Sequence, residues 1–87
     1  MTDLEWKILD ELYLMNAYRS VFDAVRENAS AFDAALVGLL QKGWLRQLRY
    51  DERAKDFVDV DPFDSSSLDN SNFVITRQGL LEHTGAA

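Results

Sequence analysis

Apolar residues recur with helical spacing through the first half of this chain and alternate with polar ones after residue 44, with turn-forming residues between the segments. Thr2 followed by Glu5 is a capping-box pair, which predicts a helix starting at Asp3. On a helical wheel Leu4, Met15, Ile8, Leu12, Leu9, Tyr13 and Trp6 fill an arc of about 200°, leaving Lys7, Asp10 and Glu11 to solvent. A surface helix needs only about 100° to meet a core. The Trp6/Tyr13 edge is therefore expected to meet something more, either a helix of the same chain or a second copy in a homodimer. A break at Asn16 and Ala17 precedes a second helix over about Tyr18 to Arg26, with Val21, Phe22 and Val25 on one side. After the link Glu27-Asn28-Ala29, Ser30 is placed to cap a third helix whose first turn holds Asp33. Phe32, Leu36, Leu39 and Leu40 form its apolar stripe, and Gly43 suits the left-handed position after its end.

The stretch "WLRQLRY" sets Leu45, Gln47 and Arg49 against Trp44, Arg46, Leu48 and Tyr50, which predicts a strand. "FVIT" from Phe73 predicts another, after which Thr76 caps a short helix to about His83 and Gly85-Ala86-Ala87 frays. Residues 51–72 differ in kind, with the only proline and four of the serines. "FVDV" is a brief candidate strand, whereas "DPFDSSSLDNSN" is turn chemistry and is expected to be poorly ordered.

Length bounds the whole to one small domain, since 87 residues leave no room for a second core. The net charge of −6 changes the picture only through its distribution. Residues 1–50 hold seven acids and six bases, whereas 51–72 hold seven acids (Asp51, Glu52, Asp56, Asp59, Asp61, Asp64, Asp69) against Arg53 and Lys55. The acidity belongs to that one segment. There is no cysteine, which excludes disulfides, thiolate metal sites and cysteine nucleophiles. The acidic opening Met1-Thr2-Asp3-Leu4-Glu5 is unlike a signal peptide, and no apolar run is long enough to span a bilayer, so a cytoplasmic location away from membranes is expected.

The order helix, helix, tight turn, helix, strand, loop, strand, with "LLQKGWLRQL" and "FVITRQG" flanking the loop, resembles the winged helix-turn-helix superfamily. It looks most like bacterial transcription regulators of the multiple-antibiotic-resistance (MarR) type. Leu39, Gly43, Trp44 and Leu45 fit the family pattern after the third helix, Phe73, Ile75, Thr76 and Gly79 fit the pattern after the wing, and "LEWKILDEL" resembles its first helix. The resemblance implies an α+β winged helix-turn-helix: a three-helix core, a two-stranded wing hairpin and a short C-terminal helix. It makes 1–87 a single winged-helix domain with 51–72 an extended acidic wing loop, partly disordered.

In that superfamily the third helix enters the major groove of DNA, where Arg, Lys, Asn and Gln do most base reading. Here the outward positions are Ala31, Asp33, Ala34, Val37 and Gly38, and only Gln41 and Lys42, near the helix end, resemble reading groups. Arg19, Arg26, Arg46, Arg49, Arg53 and Lys55 are candidate phosphate contacts, but a wing of net −5 opposes phosphate. The expectation is a non-enzymatic regulatory protein acting chiefly through protein–protein contacts, with the α-helical face of small residues as the contact and Trp6 and Tyr13 as a dimer contact. The alternative is a sequence-specific DNA-binding transcriptional regulator using the same helix face on duplex DNA.

Other chemistry is sparse. With a single histidine, His83, and no glycine-rich phosphate loop, neither nucleophilic catalysis nor nucleotide binding has a constellation. Asp59, Asp61 and Asp64 have oxygen ligands at near-calcium spacing but lack the glycine and terminal glutamate of a calcium loop. No catalytic residue, cofactor or metal is expected, and His83 is expected to be structural or solvent-exposed.

Overall fold

The structure, a computed structural model, describes residues 1–85. The fraying expected at Ala86 and Ala87 lies outside the described residues. The elements are α1 (Asp3–Asp10), β1 (Asn16–Ala17), α2 (Tyr18–Val25), α3 (Ala29–Gln41), β2 (Leu45–Asp51), β3 (Asp56–Asp59), a 3-10 helix (Ser65–Asn70), β4 (Asn72–Ile75) and α4 (Arg77–Thr84). The strands form one antiparallel four-stranded sheet in the order β1-β4-β2-β3. The fold is therefore α+β, with helices packed on a small antiparallel sheet.

Helix α1 starts where the capping box predicts. Thr2 accepts from the Glu5 N–H at 3.1 Å, and Glu5 Oε1 accepts from the Thr2 N–H at 3.0 Å. It does not run on to Met15. It ends at Asp10, and the Leu12 carbonyl accepts from the Ile75 N–H at 2.8 Å, at the end of β4. That bond turns the chain out of the helix and into β1, which pairs Asn16 with Phe73. Leu12 is still buried, but Tyr13, Leu14 and Met15 follow the helix rather than extending its stripe.

Helix α3 also departs from expectation at its start. Asn28, not Ser30, is the cap, accepting from the Ala31 N–H at 2.8 Å. Both residue types are good caps; what selects Asn28 is the abrupt end of α2. Arg26 takes the left-handed conformation there (φ 54°), its N–H reaching the Phe22 carbonyl, and α3 begins two residues earlier than a cap at Ser30 would allow. The apolar stripe is as predicted: Phe32, Leu36, Leu39 and Leu40 are buried, and Phe32 meets Tyr18 and Phe22 edge-on at 5.0 and 5.2 Å.

The end of α3 is a Schellman motif. Gly43, at φ 75°, donates to the Leu40 carbonyl, and the Trp44 N–H donates to Leu39 at 3.0 Å. Trp44 then begins a junction with α4. Its carbonyl accepts from the Thr76 N–H, and Thr76 Oγ1 donates to the Gly43 carbonyl at 2.6 Å and caps α4 through the Gly79 N–H. A Cβ at Gly79 would lie 2.3 Å from the Trp44 carbonyl oxygen, so only glycine permits α4 to approach this closely. Gly43, Trp44, Thr76 and Gly79, distant in sequence, are thus one packing unit.

Residues 51–72 are not a single disordered loop. β2 and β3 form a tight hairpin, with Leu48 opposite Asp59 and Asp51 opposite Asp56. The chain then returns across the domain to β4, and the 3-10 helix buries Leu68 in the core. Serine- and aspartate-rich composition signals turns, and here the turns are held by side chains: Asp64 accepts from the Ser66 N–H, the Ser66 hydroxyl and the Ser67 hydroxyl.

Replacing Gly79 with alanine should lower stability by about 1–3 kcal/mol, the usual cost of overpacking a close contact. The measurement is the denaturant midpoint at unchanged slope, compared with Leu80→Ala on the exposed side of the same helix.

Candidate interaction surfaces

Position on α3 decides which candidate residues face outward. Opposite the buried stripe run Ser30, Ala34 and Gln41, all exposed, while Ala31, Val37 and Gly38 are only half-exposed. Val37 packs against the core cluster, which corrects its expected place on an open contact face. Gly38 lies under helix α1: the Cβ position there is 3.8 Å from Glu5 Oε2. Asp33 accepts a hydrogen bond from the Tyr18 hydroxyl at 2.6 Å. Burial and this neighbouring carboxylate push the Tyr18 hydroxyl up to about 12.

Lys42 is likewise engaged. Its Nζ donates to Glu5 Oε2 at 2.9 Å and lies 4.7 Å over the Trp44 ring. Burial alone would raise the Glu5 carboxyl, but hydrogen bonds from Lys42 and from the Thr2 backbone outweigh it and hold the group below its ordinary 4.5. The face expected to meet a partner therefore offers Ala34 and Gln41 freely and little else.

The candidate phosphate contacts are scattered, and several carry acids of their own. Arg46 holds Asp59 through Nε and Nη2 at 3.0 and 2.7 Å, and Arg49 donates to the Ser67 hydroxyl with Asp64 at 3.8 Å. Arg19 pairs with Asp23 at 3.7 Å and lies over the Phe22 ring. Arg26 closes α2 through its backbone N–H while its side chain stays exposed and outside the ion pairs, and Arg53 and Lys55 occupy the tip of the β2–β3 hairpin, with Lys55 at φ 52°. Three of the six, Arg19, Arg46 and Arg49, thus lie against acids of the same chain. Asp59 and Asp64 are committed to arginines and hydroxyls, and among the described residues no cluster of three or more His, Cys, Asp or Glu is arranged to hold a metal ion.

The residue that sequence reasoning passed over is Gln47. It is 2% exposed, in the middle of β2, and its amide serves the returning segment: Nε2 donates to the Asp64 carbonyl at 3.1 Å and to Ser71 Oγ at 2.8 Å, while Oε1 accepts from the Asp64 N–H at 2.7 Å. Its backbone carbonyl takes the Val60 N–H at 2.9 Å. A glutamine at a core-facing strand position, between Leu45 and the buried end of the sheet, was the available signal. Beside it a cavity of about 290 Å³ opens between Leu40, Gly43, Leu45 and Phe63. Its polar lining is largely committed, with Arg46 on Asp59, Thr76 on Gly43 and Gln47 on Asp64.

The last cluster surrounds His83, which is buried rather than solvent-exposed. Its ring stacks on Trp6 with centroids 4.2 Å apart, and Nδ1 shares a hydrogen bond with the Tyr13 hydroxyl. Nε2 has no hydrogen-bond partner and lies 3.9 Å from Asp10 Oδ1. Of the two occupants weighed for the Trp6/Tyr13 edge, the chain supplies the internal one, α4. Each ring nevertheless keeps a free face, with Trp6 47% and Tyr13 44% exposed.

Comparison with protein-family models, with curated proteins and with solved structures returned no match.

Two measurements follow from these contacts. Gln47→Leu keeps the buried volume but removes every amide bond to residues 64 and 71, so their backbone amides should exchange with solvent at least tenfold faster, as read by hydrogen exchange. Glu5 titrates below its unfolded value, so its contribution to stability is present above pH 4.5 and is lost as pH falls through the lower folded value. Lys42→Met should cost about 1–3 kcal/mol at neutral pH by leaving a buried carboxylate short of a donor. It should also move the onset of acid unfolding to higher pH.

Proposed function

We propose that this chain is a non-enzymatic regulatory protein of winged-helix type that acts chiefly through protein–protein contacts and makes little direct DNA base readout. The element order, with a strand between the first two helices and a hairpin after the third, supports the winged-helix part of the reading. The observation that carries the functional part is the pairing of sheet arginines with the chain's own acids. Arg46 and Arg49, the two basic residues nearest the third helix on β2, are occupied by Asp59 and by Asp64 with Ser67. Exposed pairs of this kind add little to the stability of a fold. Their consequence is electrostatic: charges that would meet phosphate are cancelled in place.

The outward strip of α3 adds to this. Ser30 and Ala34 have no bidentate donor, and Asp33 already accepts from Tyr18. The DNA-binding alternative draws on Arg26, Gln41, Arg53 and Lys55, which remain exposed and outside the ion pairs among the described residues.

Anisotropy of labelled random duplex DNA across a salt series separates the two. The wild type should show no saturable binding even at low salt. Asp59→Asn combined with Asp64→Asn frees Arg46 and Arg49 and should produce weak binding whose log–log salt slope is about −1 to −2, near 0.9 per phosphate neutralised. A wild-type slope as steep as several phosphate contacts would establish the DNA-binding alternative instead.

A further inference from the structure

The turn that takes the chain from α1 to β1 leaves an apolar corner on the surface. Leu14 is 83% exposed, Met15 is exposed beside it, and the half-exposed Tyr13 precedes them. A shallow depression of about 420 Å³ lies here, lined by Asp10, Glu11, Tyr13, Leu14, Met15 and Asn16. Covering a leucine as open as Leu14 removes apolar surface from water, so this corner is an unspent source of binding energy.

The acids in the same depression are also badly placed for the isolated chain. Asp10 and Glu11 close α1, where the helix dipole disfavours negative charge. Among the described residues no lysine or arginine lies within 4.0 Å of either. The one basic group near Asp10 is His83 Nε2, itself buried and without a hydrogen-bond partner. Apolar exposure, two carboxylates without a lysine or arginine partner, a negative helix end and the Tyr13 ring thus converge on one spot. Each is relieved by the same kind of ligand.

We infer that this corner docks a basic amphipathic segment of another protein. A lysine or arginine of the partner sits between Asp10 and Glu11 and against the Tyr13 ring, a cation–π arrangement, while neighbouring apolar side chains cover Leu14 and Met15. Charge complementarity selects this occupant over a second copy. A two-fold contact through this corner brings Asp10 and Glu11 against their own counterparts, in a chain of net charge −6. The inference rests on reading the protein as a protein-contact module, and it names the surface and the chemistry of the partner.

The test uses the full chain and two synthetic amphipathic helical peptides, one built from leucine and lysine and its counterpart built from leucine and glutamate. Backbone amide shifts are followed by NMR during titration. The lysine peptide should shift residues 10–16 and the Trp6 indole saturably and more weakly as salt is raised, and the glutamate peptide should not. Asp10→Asn with Glu11→Gln, and separately Leu14→Ser, should each weaken the lysine peptide by about tenfold or more. These positions are exposed, so the variants should keep the wild-type thermal midpoint, and the two independent variants guard against a folding defect in either. Absence of shifts at 10–16, or unchanged affinity in both variants, overturns the inference. Concentration-dependent shifts of residues 10–16 without peptide, abolished by Leu14→Ser, assign the corner to a second copy and overturn it too. The duplex-DNA salt series reports separately: a steep wild-type slope removes the protein-contact reading whatever the peptides do, whereas no DNA binding together with no peptide shift removes only this docking site.

Discussion

Glu5 joins three parts of the molecule that the chain visits at widely separated points. Its position on α1 falls between the buried Ile8 and Leu9 on the core side, so its carboxylate is carried inward with them. A buried carboxylate without partners is costly, and the capping box satisfies only one of its oxygens. The other must find a donor across the interface, and Lys42, at the C-terminal end of α3, is that donor. A cation there also complements the α3 dipole. Lys42 in turn lies over Trp44, which leads into β2 and the junction with Thr76 and Gly79. One ion pair thus sets α1 against the exit of α3, and that exit sets the sheet and α4.

The same pair limits what the third helix can do. A residue that is both a helix-end donor and the partner of a buried acid is not free for a groove or a second protein. Tyr18 removes Asp33 from the other end by the same logic. What remains outward on α3 is small and largely neutral. The charged chemistry of the domain has moved to two other places: the arginines of β2, where the chain cancels it, and the turn after α1, where no lysine or arginine among the described residues does.

The candidate site was legible in part. The absence of reading side chains on α3 was visible from Ala31, Ala34 and Gly38 alone, and the acidity of 51–72 from composition. The neutralisation of particular arginines was not visible, because it depends on the register that puts Val58 opposite Arg49 and Asp59 one residue on. Gln47 shows the reverse case. Alternation located it on a strand beside Leu45 without saying which face is buried, and its partners belong to a segment that has no periodicity to read. The hydrogen bonds that hold that segment's backbone come from a side chain in another element, which its own composition does not encode.

Sequence by itself determined the units whose causes are local: the Thr2/Glu5 capping box, the stripe Phe32-Leu36-Leu39-Leu40, the left-handed Gly43, and Thr76 as the cap of α4. Each depends on groups within about four residues, where hydrogen-bond geometry leaves few choices. Tertiary structure decided where α1 stops, since the Leu12 carbonyl has a strand partner in Ile75 that outcompetes another helical turn. It also decided that His83 is buried between Trp6 and Tyr13, and that a leucine and two carboxylates are left facing water beside them. Those outcomes turn on which distant groups compete for one backbone carbonyl or one ring face, and no local pattern encodes the winner.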